Sequence, residues 1–209
     1  MKPALLLAIN GALLAALVFA AFFWEPAGAP EAPAASSHAL PAPALALPPP
    51  GGDFTLAGPG GPVSLRDHAG KVVLVYFGYT YCPDVCPTSL MVWQEALGQL
   101  APAELARVQP IFISVDPQRD DAARLQEYTR FFHTSILGLT GPEDRLREIA
   151  GRYGAVFERR KNVSAGGDAI DHTSVTHLVD AQGRLVQHLP HGATAAQLLA
   201  AIRQHLPTS

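Results

Sequence analysis

Hydrophobic and polar positions fall into three regimes along the chain. From Ala4 to Trp24 no charged residue occurs, and at ~1.5 Å of rise per residue a helix of that length crosses a ~30 Å hydrocarbon core. Residues 1–24 are therefore predicted to be a membrane anchor. Ala27-Gly28-Ala29 offers a small-residue cleavage site, but the apolar run is longer than the core of about 7 to 15 residues usual in a cleaved signal peptide. Residues 25–50 are rich in Pro and Ala, carry no aromatic residue and show no period that would bury a face, so they read as a linker. Residues 51–209 then have the length and the apolar segments of one globular domain.

Within that domain the pattern alternates between strand and helix. Asp53–Leu56 and Val63–Leu65 flank Gly60-Gly61 as a hairpin would. Val72–Phe77 is continuously apolar, as is Ile111–Val115, the signature of strands covered on both faces. Leu90, Trp93, Leu97 and Leu100 have helical spacing after Thr88 and Ser89, either of which offers a capping oxygen. Asp120 and Asp121 open a second helix carrying Leu125, Tyr128 and Phe132, and Leu146, Ile149 and Tyr153 mark a third. Ser135–Leu139 and Ala155–Glu158 are short strand candidates. A Gly-rich polar loop spans 161–171, strands Ser174–Val179 and Leu185–His188 enclose the turn 180–183, and Thr194–His205 forms the last helix. Alternating elements followed by a late hairpin predict an α/β sandwich with a mixed central sheet.

Charge changes this picture in two ways. Lys2 precedes the apolar run, Glu25 and Glu31 follow it, and no further Lys or Arg occurs before Arg66. The positive-inside rule leaves the N-terminus in the cytoplasm and the domain outside. The formal net charge is −3, with no Lys/Arg cluster, so nucleic-acid binding has no electrostatic support.

Candidate chemistry is concentrated in sulfur. The chain has two cysteines, Cys82 and Cys86, four residues apart in Tyr81-Cys82-Pro83-Asp84-Val85-Cys86-Pro87. A disulfide closing so small a loop constrains the unfolded chain little, so the pair reads as functional. At a strand-to-helix turn, free backbone N–H groups favour thiolate. Two thiolates there bind a soft metal or cycle through a disulfide, and an added imidazole suits copper in either oxidation state. Eight histidines are present. His38, His68, His133, His188, His191 and His205 read as solvated or internally satisfied. His172 and His177 bracket a strand, where a spacing of five points them to opposite faces, so one alone addresses a given site. His172 stands at the end of the Gly-rich loop, where Gly166 and Gly167 permit movement and Asp171 is a nearby acceptor; the loop is expected to swing His172 in when metal binds. His177 reads as a packing or surface residue. The long gap between the two pairs disfavours a zinc finger, and a catalytic zinc site lacks a candidate general base.

These residues resemble the Sco/SenC family, thioredoxin-like copper proteins tied to assembly of the dinuclear copper centre of cytochrome c oxidase. The resemblance rests on Gly70-Lys71, Phe77-Gly78-Tyr79-Thr80, the cysteine segment 82–87, Ser114-Val115-Asp116-Pro117-Gln118-Arg119-Asp120, Leu139-Thr140-Gly141 and Asp171-His172-Thr173. It implies a thioredoxin-like three-layer sandwich behind an N-terminal transmembrane helix, and Cys82, Cys86 and His172 as ligands to Cu(I) or Cu(II), with Asp171 and Asp116 in support. It further implies a metallochaperone, not an enzyme, held in the bacterial inner membrane with its domain in the periplasm. Its partners would be the copper-site subunit of cytochrome c oxidase and a periplasmic copper donor. A histidine at position 177 departs from the aromatic or aliphatic residue common there in the family. The rival reading is a thiol:disulfide oxidoreductase acting through Cys82 and Cys86. No proline occurs between Asn162 and Leu189, where thioredoxin-like oxidoreductases carry one beside the active site. A peroxidase is disfavoured by the lack of a Thr-x-x-Cys sequence.

Overall fold

Seven consecutive buried residues, Val72–Gly78, form β3, the central strand of a five-stranded sheet. The computed structural model describes residues 49–164 and 167–207, with the side chains of 162–167 left aside. The predicted anchor 1–24 and nearly all of the linker lie outside the described residues. Among the described residues no helix is long and apolar enough to cross a membrane.

The chain enters through the hairpin β1 (Thr55–Gly58) and β2 (Gly61–Ser64) and a 3-10 turn, Leu65–His68, before reaching β3. Helix α1 (Val85–Gly98) follows, then the single turn α2 (Pro102–Leu105), β4 (Val108–Ser114), α3 (Ala122–Phe132), β5 (Leu137–Leu139) and α4 (Glu143–Arg152). A second hairpin, β6 (Phe157–Ser164) and β7 (Gly167–His172), precedes β8 (Val175–Val179), β9 (Leu185–Pro190) and α5 (Ala195–His205). The main sheet runs β5-β4-β3-β8-β9, parallel on the β5 side of β3 and antiparallel on the other. This is the mixed sheet expected of a thioredoxin-like fold.

Strand alternation sends neighbouring side chains to opposite layers. On one face Tyr76 meets Trp93 of α1 and Phe112, which in turn meets Tyr128 of α3. On the other, Phe77 packs on Tyr153, which follows α4 and also meets Phe54. Each fully buried side chain of this size contributes about 1.5–3 kcal/mol, so the apolar strands anchor the site at their C-terminal ends. Trp93 also donates Nε1–H to Thr176 Oγ1 at 2.9 Å, tying α1 to β8.

Three expectations need correction. The described part of the Gly-rich segment 161–171 is strand: β6, to Ser164, and β7, from Gly167, pair antiparallel, Phe157 opposite His172. Helix α1 begins at Val85, so its first turn contains Cys86 and Pro87, and Thr88 is no cap; its hydroxyl donates back to the Asp84 carbonyl at 2.8 Å. Of Asp120 and Asp121, Asp121 alone caps α3, accepting from Arg124 N at 2.8 Å, while Asp120 turns inward.

Candidate metal centre

The end of β3 delivers the chain into a turn that the interior holds from below. Asp120, fully buried, accepts from Thr80 N at 2.9 Å, Thr80 Oγ1 at 2.6 Å and Ser114 Oγ at 2.6 Å. A buried carboxylate with several donors is a strong anchor, because losing it strands each donor without water. By composition Asp120 reads as a helix opener, because its inward turn depends on Thr80, forty residues away.

Above this anchor stand the sulfurs. Cys82 is 8% exposed and Cys86 fully buried in the first turn of α1. The Cys86 backbone N–H, one of the donors left free at a helix start, points to Cys82 Sγ at 3.4 Å. A hydrogen bond from the Cys86 side chain, helped by His172 and the backbone of Asp84 and Cys86, lowers the Cys82 pKa to about 4. Burial, and then the Cys82 thiolate beside it, push the Cys86 thiol the other way. Both effects favour the thiolate at Cys82, the more open position, and the thiol at Cys86. Gly78 is part of this construction: a Cβ there would stand 2.8 Å from Cys86 Sγ.

His172, at the end of β7, completes the set. Its Nε2 lies 3.2 Å from Cys86 Sγ, and its ring stands edge-on to Tyr76 and Tyr79 at centroid distances of 6.0 and 5.8 Å. Nδ1 lies 3.4 Å from the Thr173 carbonyl, an orientation in which Nδ1–H donates there and leaves Nε2 to a ligand. The ligand atoms of Cys82, Cys86 and His172 all lie within 4.8 Å of one another. No swing of the hairpin is needed to bring the imidazole to the sulfurs. The separation of His172 from His177 has a different origin from the one expected, since they occupy two strands, β7 and β8, not one.

His177 is elsewhere. It is 1% exposed, edge-on to Phe77 and Tyr153, with Nδ1 2.9 Å from His188 Nδ1. Asp171 also differs from expectation. It pairs with Arg160 at 2.8 Å on the solvent side of the hairpin, both side chains more than 60% exposed, and does not bond His172. Asp116 is buried close by, with both carboxylate oxygens bonded to arginines, Arg119 and Arg159. Neither arginine nor either tyrosine ring of the site carried a signal in the sequence beyond its place near the motifs.

The family model described as SCO1/SenC matches residues 45–207. The chain belongs to the SCO1/SenC family. An SCO2-like protein of Rickettsia conorii is 34% identical over 158 residues, covering 73% of this chain and 75% of the relative. The mitochondrial SCO2 homolog of Mus musculus is 34% identical over 157 residues, 74% of this chain and 62% of the relative, so the match spans less than two thirds of the mouse protein. Among solved structures, apo Sco1 of Thermus thermophilus is 39% identical with a TM-score of 0.68, covering 76% of this chain and 93% of that one. Yeast Sco1 with copper bound is 34% identical with a TM-score of 0.68, covering 78% and 91%. The fold and the family are thus shared with proteins solved both with and without copper.

Proposed function

We propose that the protein is a copper-binding metallochaperone, not an enzyme, whose cargo is held by Cys82, Cys86 and His172. The observation that carries this reading is the convergence of two sulfurs and one imidazole nitrogen within 4.8 Å, with no carboxylate in the set. Sulfur donors with one imidazole suit copper, whereas magnesium, calcium and manganese take oxygen. The buried carboxylates Asp116 and Asp120 are committed, the first to two arginines and the second to Thr80 and Ser114, which leaves the donor set soft. Yeast Sco1, a solved relative, carries copper.

The chain's own residues divide the work. Cys82, already a thiolate and the more open sulfur, is the position at which incoming and outgoing ligands exchange. Cys86, buried, loses its proton on ligation and holds the cargo from beneath. His172 closes the set from the hairpin. An acceptor's thiolate or imidazole replaces these ligands one at a time, entering from the side of Cys82 and His172 because Cys86 is sealed from solvent. Membership in the SCO1/SenC family supports the acceptor proposed here, the dinuclear copper site of a cytochrome c oxidase subunit, with a periplasmic donor loading the site. The apolar run 4–24 supports anchoring in a bacterial inner membrane, the domain in the periplasm.

A second reading is favoured by the depressed Cys82 thiol. As a thiol:disulfide oxidoreductase, the Cys82 thiolate attacks a partner disulfide and expels one partner thiolate. Cys86 then attacks the mixed disulfide, so the partner is reduced to two thiols and Cys82–Cys86 is oxidised. Copper(I) titration of the full chain against a chromogenic chelator, alongside a disulfide-reductase assay, separates the two. The chaperone reading predicts binding of a single copper ion, lost in Cys82→Ser and Cys86→Ser, weakened in His172→Ala, where the two sulfurs alone remain, and kept in His177→Ala. Robust metal-free reductase turnover with no copper uptake would replace it with the second.

A further inference from the structure

Asp116 is linked through two arginines to both segments that carry the metal ligands. It follows β4 and is fully buried. One carboxylate oxygen accepts from Arg119 Nε. The Arg119 guanidinium in turn lies over the rings of Tyr81 and Tyr79, 4.8 and 5.8 Å from their centroids, on the segment that leads into Cys82. The other oxygen accepts from Arg159 Nη2 at 2.6 Å. Arg159 belongs to β6, where it pairs with Ile170 of β7, two residues before His172. Paired residues share a face, so Arg159 lies on the inward face with Phe157, Ile170 and His172. Its Nη1 also lies 3.7 Å from Asp168 Oδ2.

This contact differs in kind from the Arg160–Asp171 ion pair of the hairpin. Arg159 and Asp116 are 17% and 0% exposed, whereas Arg160 and Asp171 are 63% and 62% exposed. Removing one partner of a buried pair leaves a charge without water, while an exposed pair contributes little. Apart from the His172–Cys86 contact, the hairpin reaches the cysteine turn among the described residues through Ile170 N–H donating to Tyr79 Oη at 3.3 Å, a long bond.

We propose that Arg159 is a positioning residue for metal ligation: held on Asp116, it fixes the β6–β7 hairpin against the cysteine turn, so that His172 is presented to the sulfurs before metal arrives. The inference rests on the reading of Cys82, Cys86 and His172 as ligands. Cut this tie, and the hairpin spends part of its time away from the sulfurs, lowering the fraction of protein competent to bind.

The test compares the full chain with Arg159→Ala, Arg159→Lys and Arg160→Ala, reading amide hydrogen exchange at Ile170 in copper-free protein and Cu(I) affinity by chelator competition. If the competent state falls to about a tenth of the population, Arg159→Ala weakens apparent affinity about tenfold with binding still of a single ion. Exchange at Ile170 accelerates in parallel. Arg159→Lys keeps the charge without the planar fork and falls between. Arg160→Ala matches the parent in both. Unchanged exchange and affinity in Arg159→Ala, or the same change in Arg160→Ala, overturns the proposal, as does a lowered melting temperature with affinity intact. Failure of the parent to take up copper would refute the ligand reading, and exchange in the copper-free proteins would still decide whether Arg159 holds the hairpin.

Discussion

Gly78 is the position where one added carbon strains fold and site together. A Cβ there would stand 2.8 Å from Cys86 Sγ and 2.8 Å from Phe112 Cε2, against about 3.5–4.0 Å for relaxed contacts between heavy atoms. Sulfur, ring or both must retreat by roughly 0.7–1.2 Å. Phe112 has little freedom, being fully buried with Tyr76 stacked 6.1 Å away and Tyr128 at 5.6 Å. Much of the displacement therefore falls on Cys86. Overpacking of this kind costs about 1–3 kcal/mol. Ligand distances tolerate only about 0.2 Å, so Gly78→Ala is expected to lower Cu(I) affinity about tenfold or more while still folding. Denaturant unfolding of copper-free protein measures the first effect and chelator competition the second. Gly98→Ala is the control: nothing lies within 4 Å of its Cβ position, so at the end of α1 it adds up to about 1 kcal/mol of stability. A Gly78→Ala protein with parental stability and parental affinity would refute the close packing of strand end against sulfur.

Asp120→Ala removes the acceptor of Thr80 N, Thr80 Oγ1 and Ser114 Oγ and is expected to destabilise by about 3 kcal/mol or more in denaturant unfolding; a loss below about 1 kcal/mol contradicts the anchor role. Burial, and then His188, depress the His177 pKa to about 3, well below the ~6.5 of an unfolded histidine. The folded state thus binds fewer protons, and its stabilisation, complete above pH ~6.5, is lost as pH falls toward 3, by about 2 kcal/mol at pH 5. His177→Phe should flatten stability between pH 7 and 5, and an unaltered slope would contradict it. In copper-free protein, iodoacetamide at pH 6 should label Cys82 ahead of Cys86, as peptide mass mapping would detect, because Cys82 is the more open sulfur and holds the thiolate. Preferential labelling of Cys86 reverses that assignment.

What could be read from the sequence were the features with local causes. Val72–Phe77 and Ile111–Val115 announced buried strands by unbroken apolar runs, and Thr194 announced α5, whose first turn it caps by accepting from Gln197 N at 3.2 Å. Cys82, Cys86 and His172 stand out by residue chemistry and the family resemblance, and the fold brings all three together. The hairpin β6–β7 was illegible because Arg159, Arg160, Lys161 and the glycines that follow have a loop's composition. Strand pairing, and the bond from Arg159 to Asp116, give that segment its order. The inward turn of Asp120 and the outward turn of Asp171 were hidden for the same reason: each is settled by a partner distant in sequence. Histidine spacing along one supposed strand misled about geometry, because the chain changes strand between His172 and His177.

X-ray absorption at the copper edge, on protein loaded with Cu(I), tests the central claim most directly. The account predicts two sulfur scatterers and one imidazole nitrogen around a single copper ion. His172→Ala should lose the nitrogen and keep the sulfurs, and His177→Ala should leave the spectrum unchanged. A parent spectrum without histidine scattering, or a nitrogen that survives His172→Ala and vanishes in His177→Ala, would contradict it.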